Sequence, residues 1–171
     1  MPENSISRRN LAKTAAWSVP VVAVAIATPA AAASNATVDI VVSRTCRTLT
    51  LGNAVPRFTV SAVTGDIPVG TTFTLSSPRL ANVGVSASGA SVGVLVNNTV
   101  TFTITTATPS AIIDITGVLG VFALAEFRLS LASVPAGYTE TNTGNNTAAA
   151  NLTGAAAVFP NTGFVGLCLP I

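Results

Sequence analysis

From residue 34 onward, apolar and polar side chains alternate with period two along most of the chain. In Thr99-Val100-Thr101-Phe102-Thr103-Ile104-Thr105 the apolar Val100, Phe102 and Ile104 share one face and the threonines share the other. Arg57 to Val63 and Thr71 to Leu75 repeat the pattern. Strict alternation built from β-branched and aromatic residues marks half-buried antiparallel strands. The same reading predicts strands over Ala36 to Ser43, Val83 to Ala87, Ser91 to Val96, Ala111 to Thr116, Val121 to Ser133, Thr147 to Leu152 and Phe164 to Leu169. Turn signals separate them: Gly65-Asp66, Gly89-Ala90, Asn97-Asn98, Pro135-Ala136-Gly137 and Gly144-Asn145-Asn146. Asn97-Asn98 predicts a two-residue hairpin connection. Val118 to Leu131 has the Ala and Leu content of a helix, but Phe127, Leu129 and Leu131 alternate with Glu126, Arg128 and Ser130, which favours a strand. Many short strands joined by polar turns imply an all-β fold, a single antiparallel β-sandwich over one core.

The first 33 residues do not fit this pattern. A basic region is followed by an uncharged Ala/Val-rich run and then Ala31-Ala32-Ala33, the order of a cleavable export signal. Ser7-Arg8-Arg9-Asn10-Leu11-Ala12-Lys13 resembles bacterial twin-arginine signals, with Leu11 where that family most often has Phe. The resemblance implies export machinery as a partner, with Arg8 and Arg9 as its recognition pair. Sec export is the alternative route. Ala31 and Ala33 are the expected cleavage-site residues, dividing the chain into a signal peptide, 1–33, and a domain, 34–171. Pro20, Pro29 and the alanine tail make 14–33 a poor membrane helix, so no stable span is expected after cleavage.

Composition changes the picture mainly by exclusion. The net charge of +2 resides in the signal, through Arg8, Arg9 and Lys13 against Glu3. The rest sets Arg44, Arg47, Arg57, Arg79 and Arg128 against Asp39, Asp66, Asp114, Glu126 and Glu140 and is formally neutral. Such a surface offers no footprint for nucleic acid, and it permits self-association. The chain has no His, and Lys13 is its only Lys. Ser-His-Asp and Cys-His nucleophile pairs are therefore excluded, as are Schiff-base and phosphate-cradling lysines in the domain. No catalytic residue, cofactor or metal site is assigned. Cys46 and Cys168 are expected to form a disulfide in an exported protein. Closing so long a loop removes roughly 4–5 kcal/mol of unfolded-state entropy. Two buried free thiols, or a two-ligand metal site, are the other readings of the pair.

Val134-Pro135-Ala136-Gly137-Tyr138-Thr139-Glu140-Thr141-Asn142, leading to Gly144-Asn145-Asn146-Thr147-Ala148, resembles the closing segment of bacterial extracellular Ig-like modules, the cell-adhesion-related bacterial domain among them. Ile67-Pro68-Val69-Gly70-Thr71-Thr72-Phe73-Thr74-Leu75 is similar to the entry to a middle strand in the same domains. The resemblance runs from about Pro56 to Leu152 and implies an Ig-like sandwich without transferring any binding residue.

Four further features bear on function. Phe159-Pro160-Asn161-Thr162-Gly163 imitates a sortase sorting signal but is followed by no basic tail, so a turn into the last strand is expected. Glu140, Asn142, Asn145 and Asn146 supply oxygen ligands for weak calcium binding, without the dense carboxylates of an EF-hand loop. A solvated turn with Asn in left-handed geometry is the plainer expectation there. Asn35, Asn97, Asn145 and Asn151 begin Asn-x-Thr sequons, read here as by-products of turns rich in Asn and Thr. Asp114, within Ile112-Ile113-Asp114-Ile115, is either a buried functional carboxylate or, the expectation adopted, an edge-strand gatekeeper facing solvent. Together these readings predict a secreted or cell-surface, non-catalytic protein that acts through protein or cell-wall contacts. The alternative is a binding module for a small ligand or glycan.

Overall fold

A computed structural model describes residues 35–48, 54–119, 122–156 and 164–169. Arg8, Arg9, Ala31, Ala33 and the sorting-like Phe159 to Gly163 lie outside the described residues. In chain order the strands are β1 (Ala36–Val38), β2 (Ile40–Thr48), β3 (Ala54–Ala62), β4 (Thr72–Ser76), β5 (Val83–Ser88), β6 (Ala90–Val92), β7 (Thr99–Ile104), β8 (Ser110–Val118), β9 (Phe122–Ser133), β10 (Tyr138–Glu140), β11 (Thr147–Ala156) and β12 (Phe164–Leu169). The helical content among the described residues is two single 3-10 turns, Leu80–Asn82 and Thr143–Asn145. The fold is all-β, as the alternation predicts, and Phe122 to Leu131 of the ambiguous stretch belong to strand β9.

Two antiparallel sheets dominate. One has the order β2-β3-β8-β5, the other β12-β11-β9-β4-β7-β6. Their inward side chains meet in a single hydrophobic core. Phe58 comes from β3, Phe73 from β4, Phe102 from β7 and Phe127 from β9, and all four are fully buried. The period-two rule assigns faces correctly: Val100, Phe102 and Ile104 are buried, while Thr99, Thr101 and Thr103 are not. On β9, Phe127 and Leu129 are buried between exposed Glu126 and Arg128.

Local chemistry sets the turns. Asn97 (φ 49°) and Asn98 (φ 61°) both take left-handed backbone, and Val96 and Thr99 exchange hydrogen bonds across them. This is the primed hairpin expected for that pair, because its twist matches that of the flanking strands. Gly89 (φ 85°) alone separates β5 from β6 and carries the chain around a corner from one sheet to the other. In Pro68-Val69-Gly70-Thr71, the Thr71 N–H and hydroxyl both donate to the Pro68 carbonyl, and Thr71 is buried.

Two expectations about the sheets need correction. Ala36 to Ser43 is not one strand: the chain leaves one sheet for another at Asp39, ending β1 and starting β2. In addition, β1 pairs in parallel with β10, Ala36 beside Tyr138 and Val38 beside Glu140, so pairing is not antiparallel throughout. Parallel pairing is possible here because about a hundred residues separate the two strands, far more than the dozen such a crossover requires.

Candidate functional site

Cys46 and Cys168 form a disulfide with a Cα–Cα distance of 5.8 Å. Cys46 pairs with Pro56 on the inward parity of β2, and Cys168 pairs with Leu152 on the inward parity of β12. Each strand lies at the edge of its sheet, so the bond ties the two sheets together along one side. The Cys168 side is buried, whereas Cys46 is exposed.

Asp114 is placed differently from expectation. Strand β8 lies between β3 and β5, so Asp114 occupies a central strand and is no edge gatekeeper. Ile113 and Ile115 turn into the core, which sends Asp114 to the outer face. There it stands in a cross-strand row with Arg57 and Ser86. Arg57 donates from Nε to Oδ1 at 2.7 Å and from its terminal nitrogen to Oδ2 at 2.8 Å. Arg47 donates to Oδ2 at 2.8 Å. Two guanidinium groups thereby cover the carboxylate and leave it only 9% exposed. Burial pushes its pKa up, but the bonds and charges of Arg57 and Arg47 outweigh that and hold it below the usual carboxylate range. The Arg57 guanidinium is in turn raised, chiefly by its hydrogen bond to Asp114. Every Asp114 oxygen is already bonded to guanidinium, an arrangement that suits a structural clamp better than proton transfer. Outward parity on neighbouring strands was the signal that could have named Arg57 as the partner.

The segment from Glu140 to Asn146 also departs from expectation. Its asparagines do not adopt left-handed backbone: φ is −140° at Asn142 and −85° at Asn146. Nor is the segment simply solvated, because Asn146 is buried and Asn145 half-buried. The Glu140 carboxylate accepts from the Ile40 N–H at 3.2 Å and the Asn142 N–H at 3.0 Å. Asn142 Oδ1 accepts from the Gly144 N–H, and the Asn145 amide donates to Asp39 Oδ1 at 2.8 Å. These bonds fasten the β1–β2 crossing to β10. Asn145 Oδ1 and Asn146 Oδ1 are buried without a hydrogen-bond partner. Among the described residues, no group of three or more His, Cys, Asp or Glu converges as a metal site.

Two surface features remain. An open hollow of about 360 Å³ is lined by Ser76, Ser77, Asn97, Asn98, Glu126 and Arg128 among others. From Val92, the last residue of β6, the edge of the six-stranded sheet continues into exposed apolar residues: Val94 (79% exposed), Leu95 and Val96 (56%). Comparison with known proteins finds no matching family model, no similar curated protein and no similar solved structure.

Proposed function

We propose that the protein is exported, through a twin-arginine-type signal with Arg8 and Arg9 and cleavage after Ala33, and acts outside the cytoplasm without catalysis. Its role in this reading is structural or adhesive, through contacts with protein or cell wall. The observation that carries the reading is the apolar rim from Val92 to Val96, on a sheet edge. No charged residue occurs between Arg79 and Asp114, so this edge has none of the lysines or other charges that keep edges apart. Clustered exposed apolar side chains at an edge favour a protein contact. The disulfide supports an oxidising compartment. The order β2-β3-β8-β5 against β11-β9-β4-β7 supports an Ig-like sandwich, although β5 precedes β7 in the chain where the Ig order would reverse them.

The test is fractionation of producing cells followed by pull-down with the parent chain and a Val94→Lys, Val96→Lys variant. The reading expects a chain beginning at Ser34 in the medium or envelope, with its partner lost in the variant. An uncleaved chain retained in the cytoplasm would overturn export, and capture unchanged by both lysines would overturn the rim as the contact. A second reading, a binding module for a small ligand or glycan, is favoured by the polar hollow between Ser76 and Arg128, whose hydroxyl, amide and charged groups match sugar hydroxyls. Glycan-array binding abolished by Asn98→Ala would promote it.

A further inference from the structure

Strand β6 ends the six-stranded sheet: among the described residues, β7 lies on one side of it and no strand on the other. Backbone groups along an antiparallel strand point to alternate sides. On β7, the Ile104 N–H donates to the Thr71 carbonyl and the Ile104 carbonyl accepts from Gly70, away from β6, so Thr103 and Thr101 face β6. Thr103 stands opposite Ser91, and the Thr101 carbonyl accepts from the Gly93 N–H at 2.8 Å. The N–H and C=O groups of Ala90 and Val92 therefore point away from the sheet. Neither residue makes a turn or loop hydrogen bond among the described residues. This unpaired row is short and bounded. Gly89 (φ 85°) turns the chain at one end. At the other, Val94 and Leu95 together stand opposite Val100 alone, a bulge that breaks the ladder before the Asn97-Asn98 hairpin.

The edge suits its own copy. In a pair related by a two-fold axis, residues near the axis meet the same residues of the mate, so a charge there would face a like charge. Strand β6 carries none, and neither does β5, which precedes it around the corner, nor β7 beside it. The opposite side of the molecule differs. There β2 brings Arg44 and Arg47 to a sheet edge, the ordinary protection against pairing. The domain is also formally neutral, so no net repulsion holds copies apart. What β6 lacks is a strand with outward N–H and C=O groups at the same spacing, and a second β6 running antiparallel supplies it.

We propose that two copies of the chain join through β6, antiparallel and two-fold symmetric, so that their six-stranded sheets become one continuous sheet. Ser91 lies at the axis opposite Ser91 of the second copy, in the closely spaced, non-hydrogen-bonded kind of pair. Ala90 stands opposite Val92 of the second copy, and the two exchange both backbone hydrogen bonds, which satisfies every outward group of the row. Val94, Leu95 and Val96, exposed in one copy, flank this seam. Each β6 is used once, so assembly stops at a pair. The proposal rests on the reading of the Val92 to Val96 rim as a protein contact and names the partner as a second copy.

The experiment measures the mass of the full chain by sedimentation equilibrium from about 1 μM to about 0.5 mM, a span covering tight and weak pairing. The expected result is a shift from monomer to dimer as concentration rises. Hydrogen exchange at the Ala90 and Val92 amides should slow with that shift, whereas the Ser91 and Gly93 amides, already bonded to β7, stay protected throughout. Ser91→Lys and Ser91→Glu each set like charges across the axis and should weaken pairing about tenfold or more. Mixed in equal amounts they should restore it, because the axis then sets Lys against Glu. Ser91 is exposed, so both variants should melt like the parent, and the restored mixture itself shows that both are folded. A monomer at every concentration overturns the proposal. If that monomer still captures another protein and loses it on Val94→Lys, Val96→Lys, the contact reading stands with a different partner. Pairing unchanged in the single variants, or not restored by mixing, overturns the two-fold register. Polymers in place of dimers overturn its closure, and dimers whose Ala90 and Val92 amides exchange freely overturn strand pairing.

Discussion

Between two isoleucines that enter the core, Asp114 can only point outward, and what it meets there is decided by β3 and β2. Removing the carboxylate brings two guanidinium groups together without their shared anion. Both arginines are about a third exposed, so solvent screens part of the loss. Asp114→Ala is expected to lower stability by about 1–3 kcal/mol in denaturant titrations. The pH dependence follows from the depressed pKa. A carboxyl group bound more strongly in its charged form contributes its full stabilisation above the unfolded-state value, near 4, and loses it as pH falls through the lower folded-state value. Acid unfolding of the parent should therefore be steeper below pH ~4 than that of Asp114→Asn, measured by thermal melts across that range. The sequence made Asp114 conspicuous and its outward direction readable. Its central position was not readable, because the order of strands depends on pairings between distant residues such as Arg57 with Asp114 and Asp114 with Ser86.

Most elements were legible because a half-buried strand writes its environment in every second residue, as β7 and β9 do. The reading failed where that code becomes too short or changes sheet. Strand β10 has three residues, and its place is set by β1 beside it rather than by its own alternation. Asp39 interrupts an apolar run with no glycine or proline beside it to mark the break, because the break is a change of partner. Strand β6 ends at Val92, and beyond it Gly93 and Val96 still bond to Thr101 and Thr99 while the valines stand in solvent. The hairpin after it was legible because left-handed geometry at two successive positions restricts the residue types. A β-branched residue there is strained by about 1–2 kcal/mol. Asn98→Val should lose that much stability in chemical unfolding, whereas Asn98→Gly should be close to neutral.

Across the whole molecule, the two large sheets are joined covalently along both sides. On one side the backbone itself passes from β5 through Gly89 into β6, and on the other the Cys46–Cys168 bond connects β2 to β12. The residues that fill the space between the sheets were largely foreseeable from alternation, and the bond from the count of two cysteines. The Glu140 to Asn146 segment was legible only as a list of oxygen-bearing residues: Asp39, which accepts from the Asn145 amide, was missing from it, and Asn146 is buried rather than solvated. Reduction of the bond, or a Cys46→Ser, Cys168→Ser variant, should destabilise the domain by about 4–5 kcal/mol on the chain-entropy model, seen as a lower denaturation midpoint. A mild reductant should reach the bond from its exposed Cys46 end without prior unfolding.

The same bond sets how the domain answers a mechanical load. A pull applied at β2 and β12 runs through the two sulfur atoms, so the intervening chain, 122 residues in sequence separation, carries none of it. Oxidised, the domain behaves as a short inextensible link. Reduced, the same stretch can lengthen by up to roughly 400 Å. Single-molecule stretching before and after reductant should show that length appear, making the domain a tether whose reach is governed by redox state.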